Sequence, residues 1–202
     1  RSGSVTGVQT CALPICQIAS QAIDAGDGIR RIRKLVNRDT PNMTTCAIDD
    51  LLFELLPVLD AAAQRLGGTL NIDVQPNLPR TVVDRLRIQH ALYTLVQNAF
   101  EASGSAPTVA IQITGDRYAV EVSVLDRGVG VPEHAREQIF RPFFTTKQSG
   151  TGLGLASTRA IIEAHEGSIG FEDIRGSGTR FWFKLPAATE PAIDTSTQGA
   201  KT

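Results

Sequence analysis

The sequence predicts an α/β sandwich, in which helices cover one face of a β-sheet. Three observations predict this class. Several short stretches alternate apolar and polar residues, as half-buried strands do. Longer stretches between them repeat apolar residues at helical spacing. The chain has 202 residues and 42% hydrophobic content, which is enough to fill a core of ordinary size.

Composition narrows the class of protein further. The formal net charge is -1, so no overall basic field attracts nucleic acid, and we expect no nucleic-acid partner. Three cysteines give no disulfide framework or zinc site, which indicates a reducing compartment. No run approaches the roughly 18 to 20 apolar residues that span a bilayer. We therefore expect a soluble, cytoplasmic domain.

The first residues do not fit this fold. The string "VTGVQTCALPI", residues 5–15, has neither helical or strand periodicity nor the layout of a signal peptide. Codons that spell it without a gap resemble a common sequencing-library adapter read in frame. We interpret residues 1–16 as an artefactual, adapter-derived segment. The natural sequence is expected to start near Cys16 or Gln17, in a truncated gene.

The first predicted element is a helix over residues 17–38. Its apolar positions step by three and four residues, as in a coiled-coil or bundle helix: Ile18, Ala22, Ala25, Ile29, Ile32 and Val36. One such stripe needs a partner helix. The segment "NRDTPNMTT" then breaks the helix at Pro41, and we place a domain boundary there.

A second helix is predicted from about Asp49 to Leu66, where Gly67 and Gly68 end it. Its apolar face consists of Leu51, Leu52, Leu55, Leu59, Ala62 and Leu66. Because Pro57 lies inside this span, we expect it to bend the helix or to shift its start.

Four strands are predicted from alternation, in "TLNIDV", "VAIQIT", "YAVEVSVL" and "TRFWFKL". The residues expected on one face are Leu70, Ile72 and Val74, then Val109, Ile111 and Ile113, then Val120, Val122 and Val124, and finally Phe181, Phe183 and Leu185. Helices are predicted over about 85–103 and about 152–166. The tail 187–202, rich in Thr, Ser, Pro and Ala, is predicted to be disordered.

The stretch "VLDRGVGVP" places Asp126 where an alternating strand ends and follows it with Gly128 and Gly130. A carboxylate there, beside glycines that let a ligand approach the backbone, suits a flat ring that bears an amine donor. The alternative is a turn that needs positive φ, with the aspartate as its local acceptor.

The stretch "SGTGLGLAS" places Gly150, Gly152 and Gly154 at the start of a helix. Free backbone N–H groups at a helix N-terminus form an anion site, and glycine lets phosphate oxygens reach them. The spacing matches neither a Walker A loop nor a dinucleotide fingerprint. This stretch alone is therefore ambiguous.

The helix "LYTLVQNAFEAS" carries a stripe of small and polar residues beside its apolar face: Ala91, Thr94, Asn98 and Glu101. The side-chain oxygen of Asn98 suits Mg²⁺, an ion that keeps waters and bridges substrate phosphates. The alternative is an asparagine that bonds to neighbouring backbone.

Four motifs follow one another along the sequence: Asn98, Asp126-x-Gly128-x-Gly130, "IFRPFFTTK" and "GTGLGL". Together they resemble the catalytic and ATP-binding domain of sensor histidine kinases. These belong to the GHKL superfamily, with DNA gyrase, heat-shock chaperone ATPases and mismatch-repair ATPases. The resemblance covers residues 45–186 and implies a two-layer sandwich with a mixed sheet. Residues 17–38 resemble the second helix of the dimerisation hairpin. "NAFEA" and "FRPFFTTK" resemble the forms in nitrogen- and oxygen-regulatory sensor kinases.

The resemblance implies a role for each matched residue. Asn98 would hold Mg²⁺ against the triphosphate of ATP. Asp126 would accept a hydrogen bond from the adenine amine, with Gly128 and Gly130 beside the ring. Thr179, in "GSGTRF", matches the threonine that supports this aspartate.

The resemblance also implies a lid and a phosphate cradle. The box that hinges the ATP lid is matched by Phe140, Phe143 and Phe144. The box at the phosphates is matched by Gly150, Thr151, Gly152, Leu153 and Gly154. Lys147, in the lid, is a candidate phosphate contact, and the alternative is a solvated surface lysine.

The sequence departs from the family pattern at Thr94, four residues before Asn98. Many sensor kinases carry a second asparagine there, and the gyrase branch carries a glutamate that activates water. Since threonine has no carboxylate to act as general base, an ATPase that hydrolyses for mechanical work is disfavoured. We do not transfer the base role to Glu101.

A second departure is that the hairpin's first helix, with its phosphoacceptor histidine, is missing. None of His90, His134 and His165 lies in a matching context. We expect surface positions for His90 and His134, whereas His165, near Gly167, is a favourable helix C-terminal residue.

The resemblance implies a histidine kinase catalytic domain that binds ATP and Mg²⁺ and transfers the γ-phosphate to a histidine of its own protein's dimerisation domain. The phosphoryl group would then pass to a response regulator receiver domain. The intact protein is expected to be a homodimer, and the missing upstream part leaves room for an inner-membrane anchor. Two alternatives are a serine kinase of the anti-sigma-factor type and a nucleotide-binding regulatory module without transfer activity. The heptad stripe counts against the first, and the complete set of boxes against the second.

Overall fold

The computed structural model describes residues 41–147, 150–174 and 178–188. The segment 1–16 that we interpret as adapter-derived, the predicted helix 17–38 and residues 189–202 of the predicted tail lie outside the described residues. The elements in chain order are β1 (Met43–Cys46), α1 (Ile48–Arg65), β2 (Thr69–Val74), β3 (Thr81–Asp84), α2 (Arg85–Ala102), β4 (Thr108–Gly115), β5 (Ala119–Leu125), α3 (Gly154–Glu163), β6 (Ser168–Asp173) and β7 (Thr179–Pro186).

Five of the strands form one mixed sheet in the order β2-β4-β5-β7-β6. The β2–β4 pair is parallel, and the other three pairs are antiparallel. Strands β1 and β3 form a separate two-stranded antiparallel sheet. The mixed sheet confirms the fold class that the sequence predicts.

One face of the sheet forms the core. Its buried residues are those predicted for the three strands β4, β5 and β7, namely Val109, Ile111, Ile113, Val120, Val122, Val124, Phe181, Phe183 and Leu185. They belong to one cluster with buried residues of all three helices. The charged residues of β5 and β7 lie at the alternate positions, where Glu121 of β5 pairs with both Arg180 and Lys184 of β7. Charged and apolar residues thus occupy opposite faces, as alternation predicts.

Strand β2 departs from its predicted pattern at one position. Leu70 and Val74 pack against the core, but Ile72, predicted on the same face, is 37% exposed. Strand β2 is an edge strand, so neighbouring strands cover it on one side only.

Helix α1 runs through Pro57 without interruption and begins at Ile48, so Pro57 does not shift its start. Pro57 lies on the exposed side of the helix, where solvent can satisfy the Phe53 carbonyl that loses its helical partner. Leu66 is 47% exposed and lies outside the apolar face on which it was predicted. Gly67, at φ +62°, follows it and ends the helix as expected.

Helix α2 matches its predicted span to within one residue, and the Asp84 side chain caps it by accepting from the Arg87 N–H at 3.2 Å. Helix α3 is shorter than predicted at both ends. Gly152 and Glu166, its predicted ends, have φ of +67° and +58°, which is not helical. Within the described ranges, no helix is both long enough and apolar enough to cross a membrane.

Candidate functional site

A cavity of about 390 Å³ lies between the C-terminal part of α2, the N-terminus of α3 and the adjoining ends of β5 and β7. Its volume is within the range of sites that bind small molecules and cofactors. Nine of the residues predicted to form the nucleotide and metal site line it: Asn98, Asp126, Gly130, Lys147, Gly150, Thr151, Gly152, Gly154 and Thr179. The structure therefore brings together residues that the sequence separates by up to 81 positions.

Asp126 follows the last residue of β5 and is only 2% exposed. Its Oδ1 accepts hydrogen bonds from the N–H groups of Gly128 at 2.8 Å and Thr179 at 3.2 Å. Burial raises the pKa of this carboxyl, and the two backbone donors oppose that shift because they stabilise the charged form. Both donors use Oδ1, and no described residue is recorded as donating to Oδ2, which can therefore accept from a ligand that offers an N–H group.

Gly128 and Thr179, the two donors to Asp126, contribute to the site through their backbones. Thr179 was predicted to support the carboxylate, and it does so with its N–H group. Gly128, predicted beside the ligand, does not line the cavity. A Cβ atom at Gly128 would lie 2.3 Å from the Ala102 carbonyl oxygen. Glycine here lets the loop after β5 pack closely against the end of α2, so Gly128 shapes the site without lining the cavity.

The opposite part of the cavity lies at the N-terminus of α3. Gly154 is the first residue of this helix, and no side chain of the described residues caps it. The first N–H groups of such a helix lack intrahelical partners and favour an anion. Gly152 and Gly154 line the cavity, whereas Leu153 is buried and does not. A phosphate group bound here would meet backbone rather than side chains.

The three predicted hinge phenylalanines lie in different surroundings. The Phe140 ring contacts Phe171, with ring centroids 6.4 Å apart. Phe144 packs against the core and lines the cavity. Phe143 is 68% exposed at φ +67°, and its N–H donates to the Gly152 carbonyl at 2.9 Å. This bond joins the predicted hinge to the predicted phosphate cradle.

Lys147 lies in the cavity. Its Nζ donates to Asn98 Oδ1 at 3.0 Å and forms an ion pair with Glu101. A cation thus contacts the oxygen that was predicted to bind Mg²⁺, which shows that Asn98 Oδ1 is accessible to a cation in the cavity. Among the described residues, no three His, Cys, Asp or Glu side chains group into a metal site. A magnesium ion at Asn98 would fit the donor chemistry if substrate phosphates and water supplied its other ligands.

Thr94 offers nothing to the cavity. Its hydroxyl donates to the His90 carbonyl at 2.9 Å, and its methyl carbon is the atom nearest to a Cβ built on Gly154. His90, expected at the surface by default, is only half-exposed, and its Nδ1 is buried without a hydrogen-bond partner in the described part of the chain. Burial lowers the pKa of His90. His134 is exposed, as expected.

His165 follows the C-terminal end of α3, as predicted, and it is buried. Its Nε2 accepts from the Asp84 N–H at 2.9 Å, so the ring proton is on Nδ1, which donates to the Ile161 carbonyl at 2.7 Å. The imidazole therefore joins the N-terminus of α2 to the C-terminal end of α3. Local sequence patterns do not indicate this link, because its two ends are 81 residues apart.

The sequence also missed the apolar wall of the cavity. This wall is formed by Val131, Pro132, Ala135, Ile139, Leu155 and Phe181. Of these, Phe181 was predicted only as a core residue. An apolar wall beside one buried carboxylate is suited to a flat ring with a polar edge.

A family model described as "Histidine kinase-, DNA gyrase B-, and HSP90-like ATPase" matches residues 83–189. The chain is 33% identical over 168 residues to the sensor protein TdiS of Thauera aromatica, covering 80% of this chain and 31% of the relative. It is 35% identical over 175 residues to the sensor protein FixL of Bradyrhizobium diazoefficiens, covering 85% and 35%. The chain thus spans about a third of the length of these relatives.

Two solved structures of histidine kinase ThkA are similar to this one. The nucleotide-free catalytic domain has a TM-score of 0.66 at 35% identity, covering 72% of this chain and 98% of that chain. ThkA in complex with the response regulator protein TrrA has a TM-score of 0.72 at 29% identity, covering 91% of this chain and 53% of that chain.

Proposed function

The chain belongs to the family of histidine kinase-, DNA gyrase B- and HSP90-like ATPases, as a domain of the sensor kinase kind, and we propose that it binds ATP with Mg²⁺ for phosphoryl transfer. The acceptor is a histidine of a dimerisation domain in the same protein. The observation that carries this proposal is one cavity that holds a buried carboxylate, the N-terminus of α3 and the oxygen of Asn98.

At the adenine end, Asp126 Oδ2 accepts a hydrogen bond from the exocyclic amine. The N–H groups of Gly128 and Thr179 hold Oδ1, so the carboxylate is oriented before the ligand arrives. Gly130 and the apolar wall contact the ring. This arrangement favours adenine over guanine, which carries an oxygen acceptor at the corresponding position and would face the carboxylate with like polarity.

At the phosphate end, backbone N–H groups of the cradle residues Thr151, Gly152, Leu153 and Gly154 bind phosphate oxygens, while the Gly150 N–H donates to the Lys147 carbonyl. Asn98 holds Mg²⁺, which would neutralise developing charge on the phosphates. Phosphoryl transfer depends mainly on positioning and charge neutralisation. With Thr94 bonded to its own helix, no carboxylate occupies the position of the water-activating glutamate, which favours transfer over hydrolysis.

In the intact protein, we propose that residues 17–38 form the second helix of the dimerisation hairpin, that residues 45–186 form the kinase domain and that the protein is a homodimer. A response regulator receiver domain would accept the phosphoryl group, and the ThkA complex with TrrA supports a partner of this class. The domain would act in the cytoplasm, whether or not the intact protein is anchored in the inner membrane.

The test is transfer in trans. The full chain is incubated with γ-labelled ATP and Mg²⁺ and with a separately produced dimerisation hairpin of TdiS, in parallel with an Asp126→Asn variant. We expect acid-labile label on the hairpin histidine, dependent on Asp126. Acid-stable label would indicate a serine kinase instead. Nucleotide binding without any transfer would favour the regulatory module.

A further inference from the structure

We propose that Glu101 is a positioning residue that holds the Lys147 ammonium on Asn98 Oδ1, so that Lys147 and Mg²⁺ compete for this oxygen. The inference rests on the proposed function, because that function makes Asn98 the metal ligand. It adds a determinant of how strongly nucleotide binding depends on Mg²⁺. The determinant is an internal cation that must leave Asn98 before the metal ion can bind there.

Glu101 lies three residues after Asn98 on α2, so both side chains project from the same face of the helix. Lys147 Nζ contacts both, at 3.0 Å from Asn98 Oδ1 and in an ion pair with Glu101. The carboxylate supplies the attraction, and the neutral amide oxygen receives the ammonium beside it.

A turn holds the backbone of Lys147 in place. The Lys147 N–H donates to Thr145 Oγ1 at 3.0 Å, and the Lys147 carbonyl accepts from the Gly150 N–H at 3.3 Å. A Cβ atom on Gly150 would lie 2.4 Å from Thr145 Oγ1. The backbone of Lys147 is therefore held on both sides, and its side chain starts from a fixed point.

Electrostatic repulsion makes Lys147 and Mg²⁺ alternative partners of Asn98 Oδ1. An ammonium and a divalent ion on the same oxygen repel each other strongly at such a short separation. When Mg²⁺ binds Asn98, Lys147 must therefore leave that oxygen, and it can then remain on Glu101 or contact a phosphate. The pair is partly exposed, at 40% for Lys147 and 53% for Glu101, so its strength is that of a surface ion pair.

The test compares nucleotide affinity with and without the metal. The dissociation constant of ADP is measured by calorimetry on the full chain, once with Mg²⁺ and once with EDTA at matched ionic strength. Their ratio is the magnesium enhancement. A general effect of charge acts more strongly on free ADP than on its less charged magnesium complex, so loss of a carboxylate would by itself lower this ratio, opposite to the change expected here. We expect Glu101→Gln to raise the magnesium enhancement about two- to fivefold.

The control is the same substitution without the lysine. In a Lys147→Met background, Glu101→Gln should leave the magnesium enhancement unchanged or lower it, because no ammonium remains to be released. Glu137→Gln, which removes an exposed carboxylate that does not line the cavity, should leave the enhancement unchanged.

The outcomes are distinct. An unchanged or lower magnesium enhancement in Glu101→Gln would overturn the proposal and would make Glu101 an attractor of the metal or a bystander. An equal rise in the Lys147→Met background would overturn it too, since the effect would not pass through Lys147. Failure of the folded, unsubstituted chain to bind ADP under either condition would instead reject the proposed function itself.

Discussion

Asp126 and Thr179 exchange two hydrogen bonds at the point where β5 ends and β7 begins. The Asp126 N–H donates to the Thr179 carbonyl at 2.9 Å, and the Thr179 N–H donates to Asp126 Oδ1 at 3.2 Å. The carboxylate is thus bonded to the sheet itself. Neighbouring strands fix its orientation, although the two residues are 53 positions apart in the sequence.

The buried carboxylate of Asp126 should lower the stability of the nucleotide-free chain at neutral pH. Its pKa in the folded state is raised above the ordinary value of 3.8, chiefly by burial. Folding therefore favours the protonated form, and this contribution to stability is fully present below pH 3.8 and lost as pH rises through the folded pKa. Asp126→Asn stays neutral and keeps an acceptor oxygen, so we expect its melting temperature to equal or exceed that of the unsubstituted chain.

The measurement is thermal unfolding of both chains without nucleotide, at about pH 7 and about pH 4.5. Any advantage of the variant should shrink at the lower pH. A variant that is clearly less stable at neutral pH would show that the ionised carboxylate stabilises the fold, contrary to this prediction.

Gly152 should tolerate alanine less well than another glycine of similar conformation. Gly152 and Gly104 have φ of +67° and +70°, so alanine at either costs about 1 kcal/mol of backbone strain. At Gly152 the new Cβ would also lie 2.4 Å from the Phe143 carbonyl carbon, whereas nothing lies within 4 Å at Gly104. We expect Gly152→Ala to cost about 1–3 kcal/mol more in unfolding free energy than Gly104→Ala. Urea unfolding of the two variants measures the difference, and equal losses would contradict the contact.

His165 should contribute to stability through its link to the N-terminus of α2. His165→Leu would remove the acceptor of the Asp84 N–H, which is buried, and the donor to the Ile161 carbonyl. We expect the unfolding free energy to fall by about 1–3 kcal/mol. The exposed His134 provides the control, since His134→Leu should change it by less than about 0.5 kcal/mol. Equal effects at the two positions would mean that the link adds nothing.

Asn98 should determine metal dependence rather than nucleotide binding as such. Asn98→Ala removes the side-chain oxygen that accepts from Lys147 Nζ. We expect the affinity for ADP in EDTA to stay within about threefold of the unsubstituted value, while most of the gain on adding Mg²⁺ disappears. Calorimetric titration under both conditions tests this. An unaltered response to Mg²⁺ would remove Asn98 as the metal ligand.

Strands β4, β5 and β7 could be predicted from the sequence because they lie inside the sheet and bury one face each. There, alternation of residues such as Val122 and Phe183 reflects burial directly. The four-residue strands β1 and β3 escaped prediction, since so short a span shows no clear alternation. Strand β6, at the other edge of the sheet, also escaped prediction, because its residues are at most partly buried. The exposure of Ile72 follows from an edge position that only the strand order reveals.

The candidate site was predictable where backbone geometry leaves a mark on the sequence. Glycines mark the positive φ at Gly130 and Gly152, and a carboxylate after an alternating strand marks Asp126. The contact of Lys147 with Glu101 left no such mark, because both residues are common on surfaces and lie 46 positions apart. Contacts of this kind are set by tertiary packing, which local patterns do not encode.

In the proposed site, Asp126 accepts a hydrogen bond from the amine of a bound adenine nucleotide. The decisive measurement is calorimetric titration of the full chain and of Asp126→Asn with a non-hydrolysable ATP analogue and Mg²⁺. We expect a dissociation constant in the micromolar-to-millimolar range for the unsubstituted chain, weakened about ten- to a hundredfold in the variant, because a hydrogen bond to a charged group is lost. Equal binding by the two folded chains, or no binding by either, would show that Asp126 does not recognise the base.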